Sequence, residues 1–197
     1  MNVTKNRTRL LKLCECAILV ALAIILDLLC KVVFGYLEAF WPLGGSITFG
    51  MIPLVFISYR HGNLWGLLSA FVYSGLQIIT GGFGGLPTSP LAVILCLLLD
   101  YIIAYSVIGL ADFFAKPIKI KAVGYGVGAF AVCLIRFFCS FLSGVVVWGD
   151  IVSGDSWVYS FTYNISYMLP SAIVTTVVIT AICSVFNPKT LKRNKKA

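Results

Sequence analysis

Long apolar runs, separated by short stretches carrying glycine, proline or charge, take up nearly all of this 197-residue chain. They fall at residues 10–33, 47–58, 64–80, 90–115, 122–148 and 157–186. A bilayer core about 30 Å thick is crossed by roughly 20 helical residues. Five of the six runs approach or exceed that length; the run 47–58 falls short and is expected to cross obliquely or incompletely. Backbone groups in lipid have no water to bond, so runs of this composition close their hydrogen bonds internally as helices. A membrane barrel would show alternation in segments of about 10 residues, which this chain lacks. The pattern predicts an all-α integral membrane protein, a six-helix transmembrane bundle.

Composition agrees with that picture. Hydrophobic residues make up 60% of the chain, charged residues 11%, and the mean hydropathy is +1.00. A water-soluble domain of this size could not bury so much apolar surface. Charge then sets the orientation. Lys5, Arg7, Arg9, Lys12, Arg60, Lys116, Lys119, Lys121, Lys189, Lys192, Arg193, Lys195 and Lys196 all thread to one side. By the positive-inside rule that side is the cytoplasm, and both termini lie there. The opposite loops hold Glu38, Asp150 and Asp155, with Lys31 the one basic residue near that face.

One membrane domain is therefore expected over residues 1–197, with short basic cytoplasmic tails at 1–9 and 187–197. The first run is too long for a signal-peptide core and lacks a small-residue cleavage pattern, so it reads as a true helix. The net charge of +8 is spread over separate loops, which fits topology and not nucleic-acid binding. Seven cysteines lie mostly within the runs, Cys14 and Cys16 are one residue apart, and His61 is the sole histidine. None of this has metal-ligand spacing, so no metal, cofactor or disulfide framework is expected.

Candidate chemistry lies where polar groups interrupt the runs, since an ionisable residue in lipid is costly unless paired or wet. Asp100 sits about ten residues from the outer end of its run, roughly 15 Å deep at 1.5 Å per helical residue. Arg136 lies at comparable depth on the fifth run. The two form either a buried ion pair that fixes packing or the floor of a cavity open to the outside. Arg136, Ser140, Gly144 and Trp148 recur every four residues and share one helix face. That arrangement also fits a packing groove topped by an interfacial tryptophan. Tyr159, Tyr163 and Tyr167 repeat at the same spacing on the sixth run, and Asn164 beside them needs hydrogen-bond partners at membrane depth. Asn164, Ile165 and Ser166 form a glycosylation sequon, read as chance because it lies within the membrane.

In the first outer loop, residues 38–46 can bend at Gly44 and Gly45 and present Trp41. The glycine-rich stretch 81–85 is a flexible connection, since no Lys-Ser or Lys-Thr follows it as in a phosphate-binding loop. Aromatic rings, one deep carboxylate and amide groups thus converge below outer loops. Such a site suits a flat, polar or cationic heterocycle. On the other side, Ala17 and Ala21, and the glycine pairs Gly62/Gly66 and Gly124/Gly128, have the small-x-x-x-small spacing that lets helices approach closely. The glycine pairs read as internal packing. The alanine pair reads equally as a contact with another membrane protein.

Taken in order, these residues resemble the thiamin-specific (ThiT-type) S components of energy-coupling factor vitamin transporters. The resemblance covers nearly the whole chain. It rests on Gly45-Ser46-Ile47-Thr48, Met51-Ile52-Pro53-Leu54, Arg60-His61-Gly62, Gly75-Leu76-Gln77 with Thr80-Gly81-Gly82, and Leu99-Asp100-Tyr101. Gly109-Leu110-Ala111, Ser143-Gly144 before Trp148, and Tyr159-Ser160 with Tyr163-Asn164 continue it. It implies a pocket for thiamin built from Asp100, Tyr101, Gly144, Trp148, Tyr159, Asn164 and a loop-one aromatic best matched by Trp41. Ser140 stands where some members have a pocket histidine, removing a ring that could stack on the ligand. Arg136 would hold Asp100 ionised and oriented, with Tyr163 in support. Ala17 and Ala21 would dock a transmembrane coupling subunit, and two cytoplasmic ATPase subunits would power uptake, the chain itself holding no nucleotide-binding signature.

The rival readings are an S component for another water-soluble vitamin and a membrane-embedded enzyme. The enzyme reading lacks a nucleophile or paired carboxylates. A purely structural subunit whose aromatics form only an interfacial belt is the third.

Overall fold

The computed structural model of the protein describes residues 2–34, 45–81, 89–148 and 154–194. Six helices account for most of these: α1 (Asn2–Phe34), α2 (Met51–His61), α3 (Asn63–Gly81), α4 (Pro90–Ala115), α5 (Lys121–Trp148) and α6 (Ser156–Val185). Each apolar run is a helix, and the only β pairing among the described residues is the isolated bridge between Phe186 and Arg193. Helices α1, α4, α5 and α6 are long and apolar enough to cross a membrane. With 11 residues, α2 is about 16 Å long and does not cross the hydrocarbon core alone. At 19 residues, α3 reaches about 28 Å.

Large apolar side chains cover the outside of the bundle; Ile18, Val32, Ile79, Leu91 and Val177 are all exposed. In water such a surface would drive association, whereas in lipid it is the matching solvent. The interior is packed from small residues at the points where backbones meet. A Cβ added at Gly66 would fall 2.4 Å from the Gly109 carbonyl oxygen, so α3 and α4 touch backbone to backbone. Gly124 and Gly128 bring α5 equally close to the carbonyls of Ala115 and Ala111 on α4. Gly62 differs from the packing role read from its spacing. It has open space around it and φ of +89°, so it serves the sharp turn between α2 and α3.

Helix α4 is irregular. Its backbone is π-helical over Leu97–Ile103 and 3₁₀ over Val107–Leu110. Single π turns widen a helix locally and are frequent at functional positions. This one contains Asp100 and Tyr101.

At one end of the bundle, Arg60 donates from Nε and Nη2 to Glu15 of α1 at 2.6 and 2.8 Å, and from Nη1 to the Pro188 carbonyl at 3.1 Å. The start of the chain, the α2–α3 turn and the segment after α6 therefore share that end. His61 Nε2 lies 2.9 Å from Glu15 Oε2, off the geometry of a hydrogen bond. Burial pulls its imidazole below the usual histidine range, while Glu15 pulls it back up.

Candidate functional site

The π-helical turn of α4 presents Asp100, half-buried, to α5. Ser143 donates its hydroxyl to Asp100 Oδ2, and Cys96 Sγ lies 3.7 Å from the same oxygen. Ser140, almost one turn earlier on α5, stands beside the same carboxylate. Helix α5 meets α6 through Gly144, where an added Cβ would fall 2.1 Å from Ser160 Oγ and 3.4 Å from Asn164 Nδ2. A larger residue fits only if Ser160 gives way. Ser160 donates to the Phe141 carbonyl at 2.8 Å. Asn164 is buried; its Nδ2 donates to the Ser160 carbonyl at 2.9 Å and lies 3.4 Å from the Ser140 carbonyl. Its Oδ1 accepts from Tyr167 Oη at 2.7 Å, which leaves a second lone pair on that oxygen. Asp100, Ser140, Ser143, Gly144, Ser160 and Asn164 thus form one polar seam across three helices.

Arg136 does not join it. Its Nη1 lies 3.0 Å from Met51 Sδ, its Nη2 donates to Tyr105 Oη at 3.0 Å, and its guanidinium carbon sits 4.4 Å from the Tyr105 ring centroid. Nε has no partner among the described residues. Arg136 and Asp100 form no ion pair, one of the two arrangements their matched depth allowed. The reason is axial position. Asp100 engages α5 at Ser143, seven residues and about 10 Å beyond Arg136, whereas Tyr105 stands at the level of the guanidinium.

On α6, Tyr159 is exposed and stacks on Tyr163 at 5.8 Å with an interplanar angle of 18°. Tyr163 meets Tyr167 edge-on at 5.7 Å. The Gly45 amide donates to Tyr163 Oη at 2.9 Å, and a Cβ at Gly45 would press to 2.7 Å from the Tyr167 ring. The stretch leading into α2 is therefore seated on these tyrosines. Tyr101 packs against the apolar core of the bundle. Trp41 lies outside the described residues. Trp148 closes α5 one turn beyond Gly144, with its side chain outside the described part. Ala17 and Ala21 are exposed on the outer face of α1.

A second intramembrane acid escaped the sequence reading. Asp27 of α1 is 5% exposed and accepts from Thr48 on Oδ1 and from Gln77 on Oδ2. Gln77 also donates to Tyr73 Oη at 2.5 Å, and the Tyr73 ring meets Tyr105 edge-on at 5.2 Å. Thr48 ties this knot onward, its amide donating to Ser171 Oγ at 3.1 Å and its hydroxyl accepting from the Gly50 amide at 3.0 Å. The signal was available, since Asp27 is a carboxylate inside the first apolar run. No group of three His, Cys, Asp or Glu residues fit for a metal occurs among the described residues.

Comparison with known proteins matches residues 13–191 to the family model described as thiamine transporter protein (Thia_YuaJ). The thiamine transporter ThiT of Bacillus subtilis (strain 168) is 34% identical over 209 residues, covering 99% of this chain and all of that one. ThiT of Lacticaseibacillus paracasei is 32% identical over 156 residues, covering 71% of this chain and 74% of the relative. Among solved structures, ThiT from Listeria monocytogenes superposes with a TM-score of 0.65 at 23% identity, over 89% of this chain and 94% of that one, a likeness of fold. With the family model spanning most of its length and a full-length relative at 34% identity, this chain belongs to the thiamine transporter protein family, as a multi-pass protein of the cell membrane with a transport and not an enzymatic role.

Proposed function

We propose that this chain is the substrate-binding subunit of an energy-coupling factor importer, capturing thiamin from outside and delivering it inward. The observation that carries the reading is the seam between α4, α5 and α6. Asp100 there makes no ion pair among the described residues, and the Ser143 hydroxyl and the Cys96 thiol orient it. A carboxylate at membrane depth without a protein cation favours a cationic ligand or an amine donor. Thiamin offers both, in its thiazolium and its aminopyrimidine. Asp100 and the remaining lone pair of Asn164 Oδ1 accept from the amine, and Ser140 and Ser143 hold the carboxylate in place. Gly144 keeps the cleft between α5 and α6 narrow, and Tyr159, at the exposed end of the tyrosine ladder, borders its mouth.

Two indoles cover the rings. Trp148 is one helical turn from Gly144. Trp41 is four residues before Gly45 in the chain, and Gly45 is seated on Tyr163 and Tyr167. Their faces attract the thiazolium with about 0.5–2 kcal/mol each. Delivery inward draws on partners: a transmembrane coupling subunit on the exposed Ala17/Ala21 face and two cytoplasmic ATPases. Both chain ends face the cytoplasm in this reading, which the shared location of Glu15, Arg60 and Pro188 supports. Titrating the purified chain with thiamin while following tryptophan fluorescence tests capture. Saturable quenching is expected; an unchanged spectrum, with calorimetry also silent, overturns the proposal.

A further inference from the structure

A groove of about 550 Å³ opens between the N-terminal part of α1 and the first turns of α3. Its walls are Thr8, Arg9 and Lys12 on one side and Leu64, Trp65 and Leu68 on the other. The volume lies within the range of small-molecule sites, about 300–1,000 Å³. No acid lines it. Glu15, the next acid along α1, is engaged by Arg60 through two hydrogen bonds, so it is not free to neutralise Arg9 or Lys12. Leu64 and Leu68 are 69% and 53% exposed, and Trp65 is half-buried at the start of its helix. The groove thus sets two cations of α1 against an indole and two exposed leucines of α3.

We infer that this groove binds one anionic phospholipid of the cytoplasmic leaflet, its phosphate held by Arg9 and Lys12 and its acyl chains lying on Leu64 and Leu68. The mix of side chains matches the parts of a lipid: cations for a charged headgroup, an indole of the kind favoured at the interface, and leucines for hydrocarbon. The ring of Glu15, Arg60 and the Pro188 carbonyl marks that level independently, since a charged cluster with an exposed acid belongs at the water boundary. Lys12 and Arg9 stand about one and two turns beyond Glu15, at headgroup height. A soluble anion would use the two cations but not the leucines, and a neutral lipid would use the leucines but leave the cations uncompensated. The inference rests on the cytoplasmic orientation and not on thiamin binding.

Native mass spectrometry of the full-length chain in mild detergent tests it. Palmitoyl-oleoyl phosphatidylglycerol is offered beside phosphatidylcholine of the same chains. One retained phosphatidylglycerol per protein is expected, at least tenfold over phosphatidylcholine, weakening as salt rises. Arg9→Gln/Lys12→Gln should lose that preference about tenfold while thiamin titrations stay normal, which separates failure here from failure of the transport reading. Equal retention of both lipids would reduce the groove to ordinary annulus. Displacement by millimolar glycerol phosphate or inorganic phosphate would make it a soluble-anion site, and an undiminished preference in the double variant would move it elsewhere. Any of these three overturns the inference.

Discussion

Two of the carboxylates inside the membrane-spanning bundle, Asp27 and Asp100, are held in opposite ways. Asp27 is closed off: each of its oxygens accepts from a different side chain, Thr48 and Gln77, and these link α1 to the segment before α2 and to α3. Asp100 is left open: the Ser143 and Cys96 contacts both fall on Oδ2, and the residue remains half-buried in a π-helical turn. A satisfied buried acid has nothing further to offer and acts as a structural knot. An acid bonded mainly on one side keeps capacity for a ligand. Depth in the membrane does not tell the two apart; hydrogen-bond saturation does.

The contrast can be broken in several places. Asp100→Asn should weaken thiamin binding at least a hundredfold, about 2.7 kcal/mol or more, in a fluorescence titration. It should leave the helical spectrum unchanged, because Ser143 can donate equally to an amide oxygen. Gly144→Ala forces a methyl group against Ser160 Oγ, a contact of 2.1 Å before relaxation. Overpacking of this kind costs about 1–3 kcal/mol, and the thermal midpoint in detergent should fall accordingly. Adding Ser160→Ala should recover part of that loss, because the hydroxyl is the closest obstacle; no recovery would mean that backbone separation and not the hydroxyl sets the limit. Asp27→Asn should lower the midpoint through a mispaired amide facing Gln77, by about 1–3 kcal/mol, with thiamin affinity within a few-fold of the parent. Smallest on the protein itself is Ala17→Leu. That position faces outward, so stability should move by no more than about 0.5 kcal/mol, while thiamin uptake by cells bearing the coupling partners should drop several-fold. Unchanged uptake removes the docking role of that face.

Helix number, the short second run and the polar residues of α4, α5 and α6 were legible because each leaves a one-dimensional mark: run length, a charge in an apolar stretch, a repeat of four. The Asp100–Ser143 pairing left no such mark. It depends on the π turn in α4, which shifts the register of side chains after Leu97, and periodicity at 3.6 residues does not anticipate it. For the same reason Arg136, matched in depth, turned out to serve Tyr105 and Met51. Asp27 was overlooked although its position inside α1 marked it, because its partners Thr48 and Gln77 come from two other elements whose meeting is a tertiary fact. Gly62 and Gly66 share one motif spacing and have different jobs, a left-handed turn and a helix contact, which only φ and neighbour distance resolve.

Side-by-side calorimetric titration of Asp27→Asn and Asp100→Asn with thiamin puts the central distinction to the test, each protein first verified as folded by its helical spectrum. The expected result is a saturable exothermic isotherm near the parent's for Asp27→Asn and none measurable for Asp100→Asn. A normal isotherm from Asp100→Asn would contradict the claim that the vitamin is held by the half-open acid of α4.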